Sequence, residues 1–321
     1  MNSRDIRTVA VIGVGTMGAG IAGEFARAGC DVRLMDISDV LLERGWAILD
    51  AAQDALVQAK LLTKAEAAAA RRRIHATTSL ERACAGAQLL VEAVAEQLPL
   101  KRAMFRKFEA LCPKTAILAT NTSGLSVTKI ASAVKRPGRV AGLHFWTPPP
   151  LIPLVEVVCG RKTSAATANL LLDVCRRLGK RPILIRREVP GFVGNRLQFA
   201  VLREALHLLR KGVASAADID TAMTAGPGLR WGVIGPLRTA DLGGLDVFHA
   251  ISSYLFADLA ADRKPAGRLE ELVRRGKYGA KTGEGFYRYG GEERQKTIAR
   301  RDRVLLKFLK ALREEAGRHE G

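Results

Sequence analysis

The sequence predicts an α/β chain, a doubly wound and mostly parallel sheet followed by an all-helical C-terminal domain. Three observations predict it. Short apolar runs rich in β-branched residues alternate with helical patterns as far as Arg187. Polar residues recur at the ends of those runs, where open parallel sheets bind their ligands. Beyond Arg187 the strand-like runs stop and helical patterns continue alone. The expected domains are 1–187, a helical 188–290, and a basic C-terminal helix at 291–321. A chain of 321 residues is long enough for two domains and a large core.

Thr8-Val9-Ala10-Val11-Ile12 is the first run, apolar on both faces as a covered parallel strand must be. It enters Gly13-Val14-Gly15-Thr16-Met17-Gly18, a G-x-G-x-x-G loop, and a helix over 19–28 stopped by Gly29. A second strand over 31–35 ends at Asp36. In this Rossmann-type context Gly13 makes the tight turn, Gly15 admits a pyrophosphate, and Gly18 lets helix and strand pack closely. The helix N-terminus offers free N–H groups to the phosphates. Asp36 lies 18 residues past Gly18 (36 − 18), near the roughly 20 expected of a ribose-binding carboxylate. A carboxylate there repels the 2′-phosphate of NADP, so NAD is the expected cofactor. Gly13, Gly15, Thr16, Met17, Gly18 and Asp36 are the residues expected to meet it.

Residues 40–73 read as two helices broken near Leu62-Thr63, with Thr63-Lys64-Ala65-Glu66 in capping-box form. They are either a large crossover or a projection toward substrate. Strands follow at 74–78, 88–94, 116–120, 140–144, 154–158 and 182–186, with helices after Leu100 and over 163–178. Glu96, Asn121, Ser123 and His144 all fall at strand ends. Past 187, helices are expected at 192–211, from a cap at Asp218 to the Gly226-Pro227-Gly228 stop, at 245–259 and at 267–275. Residues 279–287 form a Gly-rich loop that lacks the P-loop order. A basic amphipathic helix with Ile298, Leu305, Leu309 and Leu312 on one face ends the chain.

His144 ends one strand run and Glu156 lies in the next, with Pro148, Pro149, Pro150 and Pro153 between them. An imidazole held by a carboxylate is fixed in one tautomer and made more basic, as a proton-abstracting group requires. A structural His-Glu pair under a loop reads the same way in these residues alone. The shared position of the other polar residues at strand ends favours the catalytic reading.

Composition bounds the alternatives. The net charge of +19 comes from 51 Lys and Arg against 32 Asp and Glu, with clusters at Arg71-Arg72-Arg73 and at Arg300, Arg301 and Arg303. This is either a solvated Arg-rich surface or a basic rim that attracts a phosphorylated substrate. No RNA-binding or zinc-finger pattern accompanies it, so nucleic acid is not an expected partner. Five scattered cysteines without CxxC spacing fit a reducing cytoplasm, with neither a disulfide framework nor a metal site. No apolar run has the length of a membrane span, and the polar N-terminus does not read as a signal peptide.

From about Arg7 to Tyr289 the sequence resembles the L-3-hydroxyacyl-CoA dehydrogenase family. The marks are the glycine loop, Asn121-Thr122-Ser123, Gly142-Leu143-His144-Phe145, Leu154-Val155-Glu156-Val157-Val158, Pro190-Gly191-Phe192 with Asn195-Arg196, and Lys281-Thr282-Gly283-Glu284-Gly285-Phe286-Tyr287. The resemblance implies NAD-dependent oxidation of the 3-hydroxyl of a short acyl-CoA by a stand-alone dehydrogenase. Its catalytic His falls on His144 and the partner Glu on Glu156. Ser123 and Asn195 take the substrate-contacting positions, and Asp36, Glu96, Lys101, Ser123 and Lys281 the cofactor contacts. It further implies a homodimer built through the helical domain.

Three positions depart from the family pattern. Thr147 stands where the family has Asn, Gly124 replaces a second Ser, and Gly226 to Pro236 carries an Arg230-Trp231 pair. The form of that last stretch looks more like members acting on small hydroxy acids, such as gulonate and carnitine dehydrogenases, or on an aromatic alcohol. Arg230 is then a candidate for binding a substrate carboxylate. An acyl-CoA dehydrogenase, a dehydrogenase of non-CoA hydroxy acids, and a non-catalytic NAD-binding protein are the readings to separate.

Overall fold

The computed structural model describes residues 2–265 and 267–318. Eight strands, β1 (Thr8–Ile12), β2 (Asp31–Met35), β3 (Ile74–Thr77), β4 (Leu89–Glu92), β5 (Ile117–Thr120), β6 (Val140–Phe145), β7 (Leu154–Val158) and β8 (Arg181–Ile185), form one sheet. Their order is β3-β2-β1-β4-β5-β6-β7-β8. Every neighbouring pair is parallel except β6 and β7, which run antiparallel. The order reverses between β1 and β4, the switch point beside which doubly wound sheets bind ligands.

The intervening helices are α1 (Thr16–Arg27), α2 (Asp39–Gln58), α3 (Lys64–Arg72), α4 (Leu80–Cys84), α5 (Leu98–Leu111), α6 (Val127–Ala131) and α7 (Ala165–Arg177). The sheet is covered on both faces. Val9 and Val11 point into one layer with Phe25 of α1 and Leu171 of α7. Ala10 and Ile12 point into the other with Phe105 and Phe108 of α5. This is why β1 is apolar throughout rather than alternating. The capping box expected at Thr63 is present in full, with Glu66 reaching back to the Thr63 N–H.

The second half is helical: α8 (Gly194–Arg210), α9 (Ala216–Ala225), α10 (Pro227–Gly243), α11 (Leu245–Asp258), α12 (Arg268–Arg274) and α13 (Glu293–Arg318). Two expectations change here. The cap of α9 is Ser215, not Asp218. Ser215 Oγ accepts the Asp218 N–H, and its hydroxyl donates to the Asp218 carboxylate, so Asp218 stands inside the first turn. The short helix does stop at Gly226, which is the C-cap of α9, but the residues beyond it are a helix rather than a connection: Pro227 at once opens α10, because a first-turn proline loses no hydrogen bond. A Gly235-Pro236 kink divides α10, with Gly235 at φ +72°.

The chain divides into two compact units, one reaching Asn195 and taking in residues from Ala299 onward, the other Arg196–Ile298. The first unit thus runs eight residues past 187, because Val193 and Gly194 hydrogen-bond to β7. The basic helix α13 begins in the second unit and continues in the first, where Leu309 is buried.

Candidate active site

The glycine loop leaves β1 with Gly13 at φ +96°, a backbone conformation that side chains resist. A Cβ there would also come within 2.7 Å of the Ala93 carbonyl oxygen. A Cβ on Gly18 would collide with the Gly13 carbonyl, which is the close packing the motif predicts. A Cβ on Gly15 would meet nothing. Gly15 is also the N-cap of α1 and supplies no side chain to its free N–H groups. An uncapped N-terminus beside open space suits a pyrophosphate. Asp36, at the end of β2, accepts the N–H groups of Val14 and Ile37, each at 2.7 Å. It therefore shapes the loop from the position at which the sequence predicts a ribose-binding carboxylate. Thr16 and Met17 open α1.

Beyond β4 and β5 lies a buried ion cluster that sequence reasoning did not find. Glu92, fully buried at the end of β4, accepts Lys101 Nζ at 2.6 Å, the Thr120 hydroxyl at 2.7 Å and the Val94 N–H at 2.8 Å. Lys101 is 1% exposed and also pairs with Glu96 at 3.2 Å. It is a support beneath Glu96 rather than a surface group. Glu96 accepts the Thr122 hydroxyl and the Ser123 N–H. Burial raises its pKa, but Thr122, Lys101 and the Ser123 amide outweigh that, and the carboxyl lies below its ordinary value. The signal in the sequence was a Glu closing an apolar run with a Lys nine residues on (101 − 92).

Asn121 is buried, and its Oδ1 accepts the Phe145 N–H at 2.8 Å, tying the end of β5 to the end of β6. Ser123 is exposed, and its carbonyl accepts Asn195 Nδ2 at 3.0 Å. The structure thus brings Ser123 and Asn195 together, as expected.

His144 and Glu156 are direct cross-strand partners in the antiparallel β6–β7 pair. The His144 Nδ1 to Glu156 Oε2 distance is 2.7 Å, and both side chains are buried. Glu156 takes three further hydrogen bonds, from Trp146 Nε1 to Oε2 at 3.3 Å and from the Val193 and Gly194 N–H groups to Oε1 at 3.1 and 3.0 Å. Burial raises the Glu156 pKa. The bond from His144 and the two amides overcome this and hold it below the usual carboxylate value. An ionised Glu156 keeps the proton of His144 on Nδ1, so Nε2 presents a lone pair. The imidazole is flanked by Trp146 and Phe192, with ring centroids 5.6 and 5.8 Å away. Phe192 holds a left-handed φ of +55°, the kind of strain that persists only where the surroundings enforce it.

The Pro-rich connection between β6 and β7 is clamped from beneath. Lys180 Nζ donates to the carbonyls of Pro149 and Ile152 and pairs with buried Glu24 of α1 at 2.8 Å. Sequence reasoning missed Glu24, Lys180 and Trp146. Only Trp146 carried a signal, being two residues from His144 and therefore on the same face of the strand. Lys281 and Arg230 are both exposed and belong to the second unit, so they are not among the residues the first unit assembles. Among the described residues no cluster of His, Cys, Asp and Glu is arranged to hold a metal ion. No described helix is long and apolar enough to cross a membrane.

The models of two family domains match nearly end to end. Residues 8–189 match the 3-hydroxyacyl-CoA dehydrogenase NAD binding domain, and 191–289 match the C-terminal domain of the same family. The chain is 36% identical to 5-formyl-3-hydroxy-2-methylpyridine 4-carboxylate 5-dehydrogenase of Mesorhizobium japonicum, over 96% of this chain and 98% of that one. It is 38% identical to 3-hydroxybutyryl-CoA dehydrogenase of Clostridioides difficile, over 88% and 99%. A crystal structure of a 5-formyl-3-hydroxy-2-methylpyridine 4-carboxylic acid 5-dehydrogenase, described as an NAD+ dependent dismutase, superposes with a TM-score of 0.90 at 34% identity, covering 96% and 99%. With a glycine loop fit for NAD and a His-Glu pair at the strand ends, the chain belongs to the 3-hydroxyacyl-CoA dehydrogenase family.

Proposed function

We propose that this protein oxidises a small carboxylate-bearing CH–OH compound, a free acid rather than a CoA thioester, with NAD as acceptor. The observation that carries the chemistry is the buried His144–Glu156 pair, on the same edge of the sheet as the glycine loop. His144 Nε2 takes the hydroxyl proton, and Glu156 stabilises the imidazolium that results. Bound NAD supplies the hydride acceptor. The glycine loop and Asp36 hold the cofactor, and Ser123 and Asn195 orient the substrate oxygens. Glu96 borders the nicotinamide end of the cofactor, with Lys101 and Asn121 fixing the strand ends around it. Lys281 adds a cofactor contact.

What favours a free acid is the pyridine-carboxylate dehydrogenase match, which spans 96% of this chain against 88% for the acyl-CoA relative. Arg230 points the same way, being exposed and in no ion pair among the described residues, as a carboxylate-binding Arg would be. A second reading, a short-chain 3-hydroxyacyl-CoA as substrate, is favoured by the 38% identity to a 3-hydroxybutyryl-CoA dehydrogenase. NADH formation from aromatic and aliphatic hydroxy acids, from carboxylate-bearing aldehydes and from 3-hydroxybutyryl-CoA separates the two. The free-acid reading requires the highest kcat/KM on an acid without CoA. A higher value on the thioester establishes the second reading.

The helical unit exposes Leu229, Val233, Leu237, Leu242, Tyr254 and Phe256, each by two thirds or more. Apolar exposure on this scale supports a homodimer built through that unit. Sedimentation at micromolar concentration should give twice the chain mass, and a monomer there rejects the dimer.

A further inference from the structure

We infer that Trp146 is a positioning residue of the His144–Glu156 pair, holding the carboxylate through its indole N–H and the imidazole through ring packing. The inference rests on the proposed role of that pair. Trp146 touches both partners at once. Nε1 donates to Glu156 Oε2, the same oxygen that accepts His144 Nδ1. Its ring lies 5.6 Å from the imidazole centroid at an interplanar angle of 53°.

The opposite side of the indole is equally specific. A Cβ on Gly194 would collide with Cζ2 of Trp146. The same Gly194 donates its N–H to Glu156 Oε1. Gly194 thus performs two tasks, binding one carboxylate oxygen and leaving room for the ring that binds the other. Both oxygens of Glu156 are consequently held, and the carboxylate has no rotation left that keeps its bonds.

The consequence for proton transfer follows from sharing one oxygen. A second N–H on Oε2 draws charge away from the bond to His144, so the imidazolium is stabilised less than it would be by an unshared oxygen. Among the described residues no Lys or Arg pairs with Glu156, and its partner His144 is neutral until it takes the substrate proton. On the flanking strands Ile183 of β8 stands opposite Glu156, and neutral Asn121 binds the backbone beside His144. Glu92, Glu96 and Lys101 are engaged with one another.

Trp146→Phe keeps an aromatic ring and removes the donor. The expected result is an acidic limb of the kcat/KM profile moved up by roughly half a unit. A fall in kcat of roughly 3- to 10-fold accompanies it, the effect of one modest hydrogen bond. NADH affinity stays unchanged. Gly194→Ala, which displaces the indole from the other side, should move the limb in the same direction and serves if Trp146→Phe does not fold. An unmoved limb with kcat within twofold of wild type in the folded variants overturns the inference. His144→Ala measured in parallel keeps the two ideas apart. Full turnover there sinks the catalytic pair itself, whereas a dead His144→Ala beside an unmoved Trp146→Phe limb sinks only the role of Trp146.

Discussion

Gly18 and Asp36 show how single residues serve the cofactor loop. No side chain fits at Gly18, since a Cβ would run into the Gly13 carbonyl, and both parties are backbone. Gly18→Ala should therefore open the loop and weaken NADH binding by at least tenfold, readable by fluorescence titration. Wild-type affinity in a folded Gly18→Ala contradicts the assigned packing. Asp36 bonds the loop through Val14, and the proposed ribose contact would give it a second task. Asp36→Ala should raise KM for NAD and narrow the preference over NADP, because a negative charge at the 2′ position is lost. An unchanged NAD-to-NADP ratio of kcat/KM counts against that placement. Gly13, Asp36 and His144 were legible in the sequence because each is a chemically unusual residue at the end of an apolar run, and Gly18 because of its spacing from Gly13 and Gly15. Trp146 was not, because a Trp beside such a run reads equally well as core.

Between elements, the recurring device is a buried charge that ties two strand ends together. Glu92 and Lys101 do this for β4 and β5, and Glu24 and Lys180 do it for α1 and the Pro-rich connection before β7. The first pair left a local signal, nine residues apart, whereas the second is invisible in sequence, since its partners are brought together only by the fold. Glu24 and Lys180 are 156 positions apart (180 − 24). The strands themselves were legible, being apolar and β-branched. α10 was not, because Gly226-Pro227-Gly228 suits a stop and a first turn alike. Removing one partner of a buried pair costs roughly 3–5 kcal/mol. Arg27 remains beside Glu24 in Lys180→Met, so the lower end of that range is expected in urea unfolding. A loss under about 1 kcal/mol, the ceiling for most exposed pairs, shows that the clamp is not buried in solution.

Over the whole molecule, the carboxylates held by hydrogen bonds and ion pairs set the acid limit of stability. Glu24, Glu96 and Glu156 all lie below their ordinary value of 4.5 in the folded chain. A carboxyl whose folded pKa is depressed contributes stability that is complete above the unfolded value and lost as pH falls through the folded one. Tm should therefore be flat from neutrality to about pH 5 with respect to these groups, and fall steeply below about 4.5. Lys180→Met, with the folded pKa of Glu24 closer to its unfolded value, should lower the neutral plateau and make that fall shallower. A Tm that rises on acidification contradicts the assignment. The division into a nucleotide-binding unit and a helical unit was legible, because strands cease at one point in the chain. Its position at Asn195 was not, because residues 188–195 look like a helix approach and in fact complete the Glu156 site.

The most direct test of the proton-transfer assignment is turnover of His144→Ala on the best substrate of the panel, with NADH binding measured on the same preparation. Loss of roughly 10²–10⁴ in kcat with unchanged NADH affinity is the predicted result. A kcat within tenfold of wild type, with the cofactor still bound, would contradict it.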